Sequence, residues 1–179
     1  TAQKKSQRQQ MIDGVRPEGC SYCWRLEDNG QMSDRLYRSG EPWAMQEYEN
    51  ILQNPQQDVV PTYVEVDFNS ACNFKCSYCS PQFSTAWAQE TEEHGAYPTQ
   101  PPHNDATHFE GDNKVLPQKD NPYVEAFWQW WPNLYPRLKH FRMTGGEPMM
   151  DKNTYKVFQY VLDNPKQDLH LNVTSNFCP

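Results

Sequence analysis

Apolar and polar residues alternate over two segments of the chain. Thr62–Phe68 sets Val64, Val66 and Phe68 against Glu65 and Asp67, and Asp168–Thr174 alternates Leu169, Leu171 and Val173. Leu138–Thr144 reads as a strand between them. A period of two marks half-buried strands. Helical spacing fills the intervals. Ser84–Glu93 reads as a helix with Gly95 beyond it, and Asn121-Pro122 opens another. That second helix carries Val124, Phe127, Trp128 and Trp131 at i, i+3, i+4, i+7, a stripe expected to rest on a sheet rather than to bind substrate. A third runs from about Asp151 to Leu162, with Tyr155, Phe158, Val161 and Leu162 expected to face inward and Pro165 after its end. The order β-α-β-α-β predicts an α/β fold with a parallel sheet and right-handed crossovers.

Ahead of the first strand the pattern is weaker. Residues 1–16 read as a polar helix or a frayed arm, Asp28-Asn29-Gly30 as a turn, and 42–53 as a helix with Pro42 at its first position and Pro55 past its end. The division expected is an N-terminal extension over 1–58 and an α/β core over 59–179. Residues 95–122, rich in Pro, Asn, Asp and Gly without apolar periodicity, predict a long surface excursion, either functional or disordered.

Composition narrows the class. The 179 residues are enough to bury a core, and the mean hydropathy of −0.98 is that of a polar chain. No apolar run approaches the roughly 20 residues of a membrane span. A net charge of −7 argues against nucleic acid and anionic membranes as partners, and Lys4, Lys5 and Arg8 read as a solvated helix face. The first ten residues have no apolar core and so do not read as a signal peptide. A reducing cytoplasm is expected. The missing initiator Met, and an end directly after a strand, predict a piece of a longer protein.

Six cysteines are too few for a disulfide scaffold at this length, and they cluster as metal ligands do. Cys72, Cys76 and Cys79 form C-x3-C-x2-C straight after the first strand. Thiolates are the usual ligands of iron–sulfur clusters, and a four-iron cluster normally takes four. Three would leave one iron open for chemistry. The second strand runs into Gly145-Gly146-Glu147-Pro148 and the third into Ser175-Asn176. Loops that bind ligands in such folds lie at the carboxyl ends of the strands, so all three should share one rim. The glycines would let backbone approach a ligand closely.

Cys72-x3-Cys76-x2-Cys79 with Tyr78 before the last cysteine, followed by Gly145–Pro148 at the second strand's end, resembles the radical S-adenosylmethionine (radical SAM) superfamily over about residues 60–179. The resemblance implies the N-terminal half of a partial (β/α)6 barrel, with three strands visible. It implies that Cys72, Cys76 and Cys79 hold a [4Fe–4S] cluster whose open iron takes the amino and carboxylate groups of S-adenosylmethionine. Tyr78 would lie near the adenine, Gly145, Gly146, Glu147 and Pro148 would meet the methionine amino group, and Ser175 and Asn176 would reach the ribose or substrate. The implied reaction is reductive cleavage to methionine and a 5′-deoxyadenosyl radical, with flavodoxin or ferredoxin as the implied reductant.

The string Cys20-x2-Cys23-Trp24, Glu27, Gly30, Ser33, Arg35 is similar to a segment of twitch-domain radical SAM proteins, which suggests a peptide or protein substrate. A nucleoside or other small molecule is the second reading. Cys20 and Cys23 would hold an auxiliary iron–sulfur cluster or zinc with further ligands, or remain free thiols, and Cys178 is a further candidate ligand. A non-enzymatic four-cysteine zinc module, joining Cys20 and Cys23 to Cys76 and Cys79, would leave Cys72 and Gly-Gly-Glu-Pro unexplained, and its spacing far exceeds a zinc ribbon's. His94, His103, His108, His140 and His170 show no metal-binding spacing. Glu147 has the chemistry of a general base, but its setting favours a positioning role.

Overall fold

The structure, a computed structural model, describes residues 1–99 and 121–178. Most of the 95–122 excursion, with His103 and His108, lies outside the described residues. The chain divides into two compact units, Thr1–Thr62 and Tyr63–Pro179. No helix among the described residues is long and apolar enough to cross a membrane.

The first unit is helical: α1 (Ala2–Ile12), α2 (Ser21–Asp28), α3 (Asp34–Ser39) and α4 (Pro42–Gln53). The polar N-terminal segment forms a helix because Thr1 caps it and Arg8 reaches back to the carbonyls of Pro55 and Gln57, at 2.7 and 3.1 Å. Around α2 the motif residues explain one another. The guanidinium groups of Arg35 and Arg16 both lie over the Trp24 ring, 4.1 and 5.0 Å from its centroid. Arg35 forks onto Glu27 at 2.6 and 3.1 Å, while the buried Ser33 donates to Glu27 at 2.5 Å and caps α3. These partners hold the Glu27 carboxyl below its ordinary range, Arg35 first and Ser33 next. Gly30 takes a φ of 71°, the left-handed turn that closes α2. Where the sequence pattern gave only turn residues, α2 and α3 form because this network fixes two short segments too small to show an apolar period.

The second unit is a three-stranded parallel sheet in the order β1 (Tyr63–Asp67), β2 (His140–Thr144), β3 (His170–Val173). Between the strands run α5 (Thr85–His94), α6 (Pro122–Leu134) and α7 (Lys152–Asp163). The register sets Arg142 between Glu65 and Asn172, and Met143 between Val66 and Val173. One face carries the core: Phe141 and Met143 are fully buried, with Trp131, Leu134, Leu138 and Val157. Trp131 touches Phe141 and Phe127 at centroid distances of 5.1 and 5.2 Å, and Phe127 meets Phe68 edge-on at 5.2 Å. The stripe on α6 is core packing, as its spacing predicts.

The inward face of α7 differs from expectation. Asn153, Thr154 and Val157 are buried, whereas Tyr155 and Leu162 are exposed. The cap sets the phase: buried Asp151 accepts from the Asn153 amide nitrogen at 2.6 Å, and Asn153 accepts from Trp128 Nε1 at 2.9 Å. Tyr155, one residue past Thr154, is turned about 100° away, and its hydroxyl donates to the Met149 carbonyl at 2.9 Å.

Candidate functional site

The chain leaving β1 is shaped chiefly by hydrogen bonds to its backbone. Asn69 accepts from the Ala71 amide at 2.5 Å, turning the chain into the cysteine loop. The start of α5 then grips the loop. The Thr85 hydroxyl accepts from the Cys72 amide and donates to the Cys72 carbonyl, both at 3.1 Å. The Ser84 hydroxyl, which also caps α5, donates to the Phe74 carbonyl at 2.8 Å, and Trp87 Nε1 donates to the Cys76 carbonyl at 2.9 Å. Lys75 pairs with Glu90 on the same helix, which raises the lysine's pKa.

Cys72, Cys76 and Cys79 are half-buried free thiols. The Phe74 amide points at Cys72 Sγ at 3.4 Å, a donor suited to a thiolate. Burial pushes the Cys79 thiol up, and Cys72 and Cys76 lie close enough to add to it. Tyr78 is exposed, and its hydroxyl pKa is raised first by a hydrogen bond with Cys76 and then by the charges of the neighbouring cysteines. Among the described residues, no group of three His, Cys, Asp or Glu side chains is gathered tightly enough to hold a single metal ion. Three thiols on one loop are the donor type that iron–sulfur clusters take.

Gly-Gly-Glu-Pro is packed against that loop. Gly145 has a φ of 103°, and a Cβ there would collide with the Asp67 carboxylate. A Cβ on Gly146 would strike the Ala71 carbonyl. Such closeness lets the Gly146 amide donate to the Asn69 carbonyl at 3.1 Å and the Glu147 amide to that of Ala71 at 2.6 Å. The Glu147 side chain is buried, and its carboxylate accepts from the Met149 amide at 2.9 Å, the Ser175 hydroxyl at 2.7 Å and the Asn176 amide at 2.6 Å. It serves as a clasp between β2 and β3. Asn176 carries the chain of bonds onward, donating from Nδ2 to Asn73 Oδ1 at 3.0 Å, and Asn73 donates to the Cys178 carbonyl.

The structure therefore brings Cys72, Cys76, Cys79, Tyr78, Gly145–Pro148, Ser175 and Asn176 to one rim of the second unit. Cys178 also lies there, exposed, with its amide on Asn176 Oδ1 at 2.8 Å. Cys20 and Cys23 belong to the first unit, where Cys20 precedes α2 and Cys23 lies one turn on, both free and half-buried. Sequence reasoning passed over Asn73, Thr85 and Asp67. Only the third left a trace, a carboxylate closing an alternating strand. Burial beside Gly145, with the charge of Asp151 adding to it and a hydrogen bond from the Asn69 amide opposing it, pushes the Asp67 pKa up to about 6, although part of this residue's surface stays open.

This parallel α/β sheet is consistent with a partial radical SAM fold, and a distant likeness supports that superfamily. GTP 3′,8-cyclase of Campylobacter lari is 26% identical over 114 residues, 64% of this chain and 27% of that protein. The match thus spans about a quarter of that relative's length. No protein-family profile and no solved structure matches the chain.

Proposed function

We propose that this chain is a radical SAM enzyme whose Cys72, Cys76 and Cys79 hold a [4Fe–4S] cluster. The observation that carries the reading is the rim itself, where three free thiols and a Gly-Gly-Glu-Pro turn are joined through Asn73, Asn176 and Glu147. When bound, the cluster and S-adenosylmethionine supply one-electron cleavage of the sulfonium to methionine and a 5′-deoxyadenosyl radical. The chain's own residues do the rest. Thr85, Ser84 and Trp87 hold the loop's backbone, leaving the sulfurs available as ligands. Gly145 and Gly146 bring the second loop's backbone up to the first, and Glu147, satisfied by protein donors, fixes that approach rather than moving protons. Tyr78, open to solvent beside the thiols, would cover the adenine. A flavodoxin or ferredoxin would supply the electron, and a reducing cytoplasm suits such a cluster.

For the substrate, the twitch-type motif favours a peptide or protein side chain. The named relative acts on GTP, which favours a nucleoside or nucleotide instead. An auxiliary cluster or zinc at Cys20 and Cys23 belongs with the peptide reading.

Electron paramagnetic resonance of anaerobically reconstituted, reduced protein tests the proposal. A four-iron signal is expected that changes on adding S-adenosylmethionine and disappears in Cys76→Ala. Colourless protein with stoichiometric zinc and no cluster signal would overturn the enzyme and leave the four-cysteine zinc module.

A further inference from the structure

All-parallel sheets are ordinarily covered on both faces. Here α6 and α7 cover the face of Phe141 and Met143, while the opposite face presents polar residues in register. Its middle row is Glu65, Arg142 and Asn172, and nearer the cysteine rim come Asp67 and Thr144, with Thr174 just past β3. A polar row at the centre of a parallel sheet does not form a core, and it is placed to meet a ligand.

Among the described residues Arg142 supplies the guanidinium of that face, which also carries His140 and His170, and it is loosely held. Its Nη1 donates to Glu65 at 3.4 Å and its Nη2 to Thr174 at 3.2 Å, against 2.6 Å for the Arg35–Glu27 pair of the first unit. Charge-assisted bonds close to about 2.7–2.9 Å when fully made. Glu65 also takes hydrogen bonds from Tyr63 and Thr144, at 3.1 and 3.2 Å, so its charge is divided among three donors. The side chains of Arg142 and Glu65 remain 36% and 40% exposed. A guanidinium has five N–H donors, and the contacts to Glu65 and Thr174 occupy two of them among the described residues. Along β2, Arg142 stands three residues before Gly145, about 10 Å from the rim at strand rise.

We propose that Arg142, oriented by Glu65 and Thr174, is the anchor for an anionic group of the substrate, a phosphate or a carboxylate, on the open face of the sheet. This deepens the radical reading, on which it rests, by naming a chemical group of the substrate. A ligand bound this way spans from the guanidinium to the thiol rim, with its anion about 10 Å from the end where chemistry occurs.

The test titrates the whole chain with inorganic pyrophosphate and, separately, with succinate, following arginine Nε–Hε resonances by NMR. The Arg142 resonance is assigned by its absence in Arg142→Gln. One anion is expected to shift it, with affinity falling about tenfold or more in Arg142→Gln and less in Arg142→Lys, as for a lost charge-assisted hydrogen bond. A response to pyrophosphate marks a phosphate-bearing substrate, and a response to succinate a carboxylate-bearing one. An Arg142 resonance indifferent to both anions, or equal binding by folded Arg142→Gln, would overturn the proposal. The wild-type resonance decides the matter even where the glutamine variant fails to fold. Anion binding kept in protein that forms no cluster would sink the radical reading alone, and a normal cluster signal in protein that ignores both anions would sink only the anchor.

Discussion

Asp67 shows how one carboxyl can be shaped by neighbours that sequence order conceals. It ends β1, faces Gly145 and senses Asp151, and burial pushes its pKa up to about 6 from 3.8. Between those values the folded chain binds more protons than the unfolded one, so stability falls as pH rises from about 4 to about 6 and the loss is complete above that. Asp67→Asn removes this term. The urea midpoint of the variant should therefore gain on wild type as pH rises across that window, and a constant difference would show that the carboxyl is not penalised by its surroundings. The cysteines were legible at this scale because spacing along the chain is itself their signal. Asn73 and Thr85 were not, since their roles lie in what they bond rather than in what surrounds them in sequence.

Elements came through where one face is continuous and apolar. The α6 stripe and the alternation of β1 and β3 each repeat one solvent contrast several times, and each element appears close to its predicted bounds. In α7 the apolar residues misled, because its orientation follows the Asp151 cap and the Asn153–Trp128 bond. The junction of β2 and β3 depends on Glu147, whose buried carboxylate takes three protein donors. Glu147→Ala strands the Met149 and Asn176 amides, a cost of about 1–3 kcal/mol each when such groups are left unsatisfied. Lower unfolding free energy is expected, together with less iron retained per chain after reconstitution. Full stability and full iron in that variant would mean that the clasp is dispensable.

At the scale of the molecule, two units form for different reasons. The first is held by Trp24, Arg35, Glu27 and Ser33, a polar network around one ring. The second is held by an aromatic core under a parallel sheet. Phe141→Ala should cost that unit about 3–5 kcal/mol, the usual loss for a buried phenylalanine, measured by urea unfolding; a loss below about 1 kcal/mol would show that the core closes over the gap. The sequence by itself determined the strand and helix order, the parallel sheet and the placing of the three loops on one rim, because apolar period and crossover handedness follow from local sterics and solvent. Only the tertiary structure decided that Glu147 and Ser175 turn toward each other, that Asp67 abuts Gly145, and that Arg142 stands loosely held on an open face. Those are contacts between strands distant along the chain, and their energies depend on register, burial and shared hydrogen bonds that no local pattern encodes.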